Sequence, residues 1–434
     1  MPRSAGFWTL AVLLLMVVFA SAAASPLYRV YQVQFGFSAI TLTAVFAVYV
    51  LTLLLTLLFF GSVSDHLGRR PVIFAATGFS IAACVVFLAA GSVPALFAAR
   101  CLQGVATGLA SGSIGAALFD LQPAGSQRAS LATSAFSTLG LALGALISSA
   151  LIQYAPAPTQ LIWWALLAVF IAGIGAVMAI AEPGSRRPGV FGSMRPKVAV
   201  PQQARATFVG AIPCLVGVWA LGGLYLSLGP SLAALAVGSS NRVWGGLVIF
   251  LLFGTGAAVS LTFRGIPSRA ATIRGSMFLL AGLALTFFAI ATTTSAAFLI
   301  GTAVAGVGFG LAFLGTFRMT TAQATPGRSA ELVTAVFVVA YLAFSVPALI
   351  AGVGTTSFGL QSTALGYCAA LAVLIAAAAG ALLVRAQEPA QPAWSSPEIL
   401  PPGPCTCPPC PRAFEEVILE SQQMQAGPIV TGAR

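Results

Sequence analysis

Twelve apolar runs, each close to the length of a bilayer-spanning helix, are set six and six around one polar gap. The runs cover 7–27, 38–60, 72–91, 94–118, 130–153 and 159–181, then 207–229, 243–263, 274–293, 296–318, 331–354 and 360–384. About 20 apolar residues in a helix cross the hydrocarbon core of a membrane. Lipid offers the backbone no hydrogen bonds, so each run must satisfy its own amides and carbonyls as a helix. Charged residues make up 7% of the chain and apolar residues 59%, whereas a soluble domain carries about 25% charged residues. The mean hydropathy is +0.98. The expected class is an all-α polytopic membrane protein with twelve transmembrane helices.

The gap at 182–206 is rich in proline and arginine, including Glu182, Pro183, Arg186, Arg187, Arg195, Lys197 and Arg205. It reads as a solvated linker between an N-terminal six-helix half (1–181) and a C-terminal one (207–384). A weak internal repeat agrees. Pro123, Arg128 and Leu131 to Phe136 resemble Pro326, Arg328 and Leu332 to Phe337, at an offset of roughly 200 residues, as a duplicated six-helix unit requires. The tail, 385–434, holds five of the nine acids and no apolar run, and is expected to be a disordered cytoplasmic segment. Its Cys405, Cys407 and Cys410 are too few for an ordinary thiolate site, so neither metal nor cofactor is expected.

The net charge of +11 is distributed as a topology signal rather than a nucleic-acid surface. With the N-terminus in the cytoplasm, fourteen of the seventeen Arg and Lys in 1–384 fall on the cytoplasmic side, as the positive-inside rule demands. Arg29 and Arg242 fall outside, and Arg100 lies within a span. Both termini are then cytoplasmic, and the expected location is the cell inner membrane. The first run, with Arg3 ahead of it, is read as an uncleaved span because a second run follows at once. No nucleic-acid partner is expected, and the chain is expected to act as a monomer in the bilayer.

Between the second and third runs lies Gly61-Ser62-Val63-Ser64-Asp65-His66-Leu67-Gly68-Arg69-Arg70-Pro71. Two glycines permit a tight turn, Asp65 can accept from an arginine or a helix N-terminus, and Arg69 and Arg70 mark the cytoplasmic face. His66 reads as a solvated loop residue. The string Gly-x-x-x-Asp-x-x-Gly-Arg-Arg, with the six-plus-six layout over 1–384, resembles the signature loop of the major facilitator superfamily. The resemblance implies two pseudo-symmetric halves and alternating access. It makes Gly61, Asp65, Gly68, Arg69 and Arg70 a conformational latch, with Asp120 at the end of span four as the acid that pairs with it.

In span four, Arg100-Cys101-Leu102-Gln103-Gly104 resembles the Arg-x-x-Gln-Gly motif of proton-driven members, notably drug exporters. This implies a coupling or transport role for Arg100, Gln103 and Gly104, with protons as a candidate partner. An arginine at a helix centre costs about 2.5–3.5 kcal/mol on insertion scales. Arg100 either snorkels to the outer interface or has a function inside. Two departures weigh against proton coupling. Gly144 in span five is followed by Ala145 rather than proline. The acids of 1–384 are Asp65, Asp120, Glu182 and Glu331, all near the cytoplasmic surface, so no embedded carboxylate offers a proton site.

Tyr28, Trp219, Tyr225 and Tyr341 are candidate lining residues of a cavity suited to a hydrophobic or amphiphilic solute. A sugar carrier would place more Asn, Gln, Asp and Glu inside its spans. With one histidine, in a loop, and no GxxxxGK[ST] phosphate loop, the chain offers no catalytic triad and no ATP site, so no enzyme is expected. The expected function is secondary transport of a small solute, with export as the direction. The alternatives are metabolite uptake or facilitated movement and, from another class, a non-transporting membrane sensor that keeps the carrier fold.

Overall fold

The computed structural model describes residues 1–123, 126, 128–184, 194, 198–323 and 329–384. Cys405, Cys407, Cys410, the linker's Arg186, Arg187, Arg195 and Lys197, and the repeat's Pro326 and Arg328 lie outside them. The described helices are α1 (Arg3–Phe35), α2 (Ala39–Phe60), α3 (Ser64–Leu67), α4 (Arg69–Leu88), α5 (Val93–Leu121), α6 (Arg128–Tyr154), α7 (Leu161–Met178), α8 (Gln202–Ser227), α9 (Gly229–Val237), α10 (Val243–Thr262), α11 (Ser268–Thr292), α12 (Ser295–Thr321), α13 (Ser329–Phe358) and α14 (Leu360–Val384). Twelve are long and apolar enough to cross a membrane. Each expected span overlaps one of these helices; the ninth begins six residues earlier, at Ser268, and two others differ in a way local chemistry explains.

The first span continues past Leu27 to Phe35, because Tyr28 to Phe35 carries no helix breaker until Gly36, whose φ of +66° closes the helix in the left-handed region. The seventh span is interrupted. α8 ends at Ser227 and α9 starts at Gly229-Pro230, where a proline at the first helical turn has no amide to lose. Pro26 sits within α1, removing one ladder hydrogen bond.

Odd and even spans run in opposite directions. The end of the bundle that holds Met1 is the near end, and the other the far end. Contacts between the first six spans and the last six gather toward the far end. Phe46 of α2 meets Phe344 of α13 edge to face at 5.2 Å. A Cβ on Gly246 of α10 would lie 2.8 Å from Ser149 Cβ of α6. Asn241 Nδ2 donates to Tyr154 OH at 3.3 Å, and the Arg242 amide to Gln153 Oε1 at 2.9 Å.

Glycines set the spacing between helices. In α5, Gly104, Gly108 and Gly112 form one stripe at four-residue spacing, packed on α2. A Cβ on Gly104 would lie 2.6 Å from the Tyr49 carbonyl, against Thr52, and one on Gly108 would lie 2.6 Å from Thr56 Cβ. About 200 residues on, the contact recurs between α12 and α10. A Cβ on Gly306 would press on Thr255 and lie 2.6 Å from the Leu252 carbonyl. Small faces of this kind replace the hydrophobic effect as the source of helix association in lipid.

Candidate functional site

Two groups of sequence-selected residues come together, one at the near end and one in the interior. At the near end the Gly61–Pro71 segment folds into the short α3 and a turn at Gly68, whose φ of +99° only glycine adopts without strain. The turn aims Arg69 at three acceptors. Its Nε donates to Asp120 Oδ2 at 3.0 Å, and its Nη1 to Ser64 Oγ at 2.8 Å and to Asp65, with which it forms an ion pair. Gly61 closes the group from the α2 side, its carbonyl 3.1 Å from where a Cβ on Gly112 would sit. Arg3 Nη2 adds a bond to the Asp120 carbonyl at 2.7 Å. Arg70 turns the other way, onto the Met178 carbonyl at 2.7 Å.

Glu182 belongs to this group, although the sequence marked it only as a linker acid. Its Oε1 accepts the Arg69 amide at 2.7 Å and its Oε2 the Arg70 amide at 3.2 Å. The carboxylate therefore caps the N-terminus of α4, where unpaired amides and the helix dipole favour negative charge. Its place right after span six was readable from the chain, but its partner, more than a hundred residues earlier, was not. Glu182→Lys is expected to lower the melting temperature of the purified protein more than Glu182→Gln does, the neutral change costing about 0.3–1 kcal/mol. Equal and unchanged melting temperatures would remove the cap.

Arg100 does not snorkel. It is fully buried, and is the one charged side chain in that class among the described residues. Its Nη1 donates to the Ser21 carbonyl at 2.9 Å and to Gln103 Oε1 at 2.7 Å, while Gln103 Nε2 donates to the Ala20 carbonyl at 3.1 Å. α1 can accept these bonds because a helix carbonyl keeps a second lone pair beyond the one its own ladder uses. The guanidinium lies over the Tyr49 ring, Cζ 4.1 Å from its centroid, and 5.5 Å from that of Tyr28. Arg100 Nε, Tyr28 OH and Ser25 Oγ are buried without a hydrogen-bond partner. Tyr49 was not selected from the sequence, since one tyrosine in an apolar span reads as packing.

Trp219 gathers an aromatic cluster in the last six spans. Its ring meets Phe313 at 5.3 Å, Phe344 at 5.4 Å, Tyr341 at 6.0 Å and Phe309 at 6.1 Å. Trp219 Nε1 is buried and unpartnered. Through the Phe344–Phe46 contact the cluster reaches α2, where Phe46 lies one turn from Tyr49. Trp219 and Tyr341 are thus joined, and Tyr28 lies on the arginine side. Tyr225 stands apart, its hydroxyl 2.8 Å from Thr302 Oγ1 and its ring stacked on Phe298. None of the four lines the surface hollows of about 420 Å³ beside Trp8 and Gly173, or 340 Å³ beside Arg29 and Thr355.

A family model described as the Major Facilitator Superfamily matches residues 10–352. The chain belongs to the major facilitator superfamily. Solved structures of this fold superpose over most of the molecule. The human organic anion transporter MFSD10 (TETRAN) gives a TM-score of 0.63 at 16% identity, over 88% of this chain and 100% of that one. A peptide transporter, POT, in complex with sulfate gives 0.69 at 15% identity, over 88% and 94%. The nucleoside transporter NupG gives 0.68 at 12% identity, over 87% and 99%. In sequence, Multidrug resistance protein D of Escherichia coli (strain K12) is 38% identical over 66 residues, 15% of this chain and 17% of that relative. As a superfamily member, the chain is a multi-pass membrane transporter and not an enzyme.

Proposed function

We propose that this superfamily member exports a small hydrophobic or amphiphilic solute across the cell inner membrane by alternating access between its two six-helix halves. The observation that carries this reading is the Trp219 cluster, an aromatic surface that extends through Phe344 to Phe46 of the other half. Such a surface takes an apolar solute better than a sugar. The 66-residue likeness to a protein named for multidrug resistance supports the same class and direction. The near end is assigned to the cytoplasm on the positive-inside bias, with the contacts between halves on the outer side. The Arg69 network is assigned as the latch, since it places charged groups where the near end must open and close.

A second reading, facilitated movement down the solute's own gradient, is favoured by one observation. Asp65, Asp120, Glu182 and Glu331 are all partly exposed, at or beside helix ends, and offer no buried carboxylate for proton coupling. Purified protein in vesicles decides between these. Saturable flux of lipophilic dyes is expected, with sugars and amino acids excluded, and Trp219→Ala is expected to reduce it about tenfold. Dye flux that follows an imposed pH gradient means coupled export. Flux of sugars in preference to dyes would sink the cargo assignment.

A further inference from the structure

Arg100 poses a problem of charge balance. It is a cation with no exposure, its neighbours are carbonyls, an amide and two rings, and no carboxylate among the described residues shares its interior. A buried charge without a counter-charge is costly, so its presence needs a reason. The fold does not supply one. In the other half, the joint that corresponds to Ser21 of α1 and Arg100 of α5 is formed by Tyr225 of α8 and Thr302 of α12. The spacing of Pro26 to Pro230 and of Gly104 to Gly306 sets that correspondence. There the joint is closed by one neutral hydrogen bond of 2.8 Å. The same packing is therefore achievable without a cation.

Of the unpartnered groups around Arg100, its own Nε can only donate, and the hydroxyls of Ser25 and Tyr28 can turn to donate or accept. Ser21, Ser25 and Tyr28 lie on one stripe of α1 at i, i+4 and i+7. The first gives Arg100 its carbonyl, the third sets the Tyr28 ring 5.5 Å from the guanidinium, and Ser25 Oγ and Tyr28 OH, like Arg100 Nε, are buried without a partner. Trp219 Nε1 is a further orphaned donor, across the Phe46–Phe344 contact. A site that bears one fixed positive charge, no negative charge and hydroxyls free to turn as donors is matched by an anion.

We propose that Arg100, Tyr28 and Ser25 form the head-group site for an amphiphilic organic monoanion. Its sulfonate or carboxylate is held by Arg100, and its apolar body lies along Tyr49, Phe46, Phe344 and Trp219. This rests on the reading of the chain as a carrier of hydrophobic solutes and names the class within it. Tyr49 covers the guanidinium, so its ring turns aside when the head group enters, exchanging a cation–π contact for a charge-assisted hydrogen bond.

The test uses a matched pair, anilinonaphthalene sulfonate and the neutral phenylnaphthylamine, with tetraphenylphosphonium as a lipophilic cation. Flux is measured with the full chain in vesicles of phosphatidylcholine alone, so no anionic lipid competes for the site. The wild type is expected to favour the sulfonate over the phosphonium by at least about tenfold, and Arg100→Gln to lower the ratio of sulfonate to amine flux by a similar factor. Tyr28→Phe, which removes one hydroxyl and keeps the ring, is expected to raise KM for the sulfonate severalfold with less effect on kcat. It serves equally if Arg100→Gln does not fold. Amine flux with an unaltered sulfonate-to-amine ratio in both variants, or a preference for the phosphonium, overturns the anion site and leaves the carrier reading standing. No saturable flux of any of the three overturns the carrier reading itself.

Discussion

Valine at Gly104 is expected to cost the protein its fold, whereas alanine at Gly115 is expected to be tolerated. The two glycines lie on the same helix, three turns apart, and differ in what a side chain would meet. At Gly104 a Cβ falls 2.6 Å from the Tyr49 carbonyl and 2.9 Å from Thr52 Cβ. The obstacle is partly the backbone of α2, which no rotamer change can move. At Gly115 nothing lies within 4 Å. Overpacking a filled core costs about 1–3 kcal/mol even where side chains can yield, and separating α2 from α5 also disturbs Tyr49 above Arg100. Gly→Ala at the open site gains about 0.5–1 kcal/mol from helix propensity. Melting curves of the purified variants read both effects. Gly306→Val is expected to fail as Gly104→Val does, because Thr255 and the Leu252 carbonyl stand where Thr52 and the Tyr49 carbonyl do. A stable Gly104→Val protein would mean that the stripe is not a packing face.

The helices were legible in the sequence because lipid leaves the chain so little choice. A run of 20 apolar residues must be helical, and its length sets its ends. What could not be read was anything fixed by tertiary partners. Arg100 looked able to reach the outer interface, and only the packing of α1 across it shows that it does not. Glu182 looked like one more linker residue until the fold carried it to the amides of Arg69 and Arg70. Tyr225 and Trp219 were equal candidates from the same span. One is consumed by a bond to Thr302, while the other keeps an orphaned donor inside an aromatic cluster. The interruption at Gly229-Pro230 was visible as a dipeptide, but whether the chain turned away or resumed as α9 depended on what it packed against.

Arg69→Ala is expected to reduce transport far more than Arg70→Ala, although the two arginines are adjacent and carry the same charge. Arg69 is 13% exposed at its side chain and joins Asp65, Ser64 and Asp120. Its removal leaves Asp65 and Asp120, whose side chains are 40% and 32% exposed, without their common cation, which costs about 1 kcal/mol once water screens them. Arg70 gives up a bond to one carbonyl, Met178, and a distant contact with Phe74. Asp120→Asn is expected to fall between them, since Asp65 and Ser64 still hold the guanidinium. Lysine at 69 is expected to rescue only partly, because an ammonium cannot present the planar fork that reaches several acceptors at once. Flux in vesicles, with melting temperature measured alongside, gives the order. A loop that served only as a positive-inside signal would make the two arginines interchangeable, because membrane insertion counts charges and not their hydrogen bonds. A large drop in flux for Arg69→Ala, a small one for Arg70→Ala and similar membrane levels for both is the pattern that a latch produces and a topology signal does not.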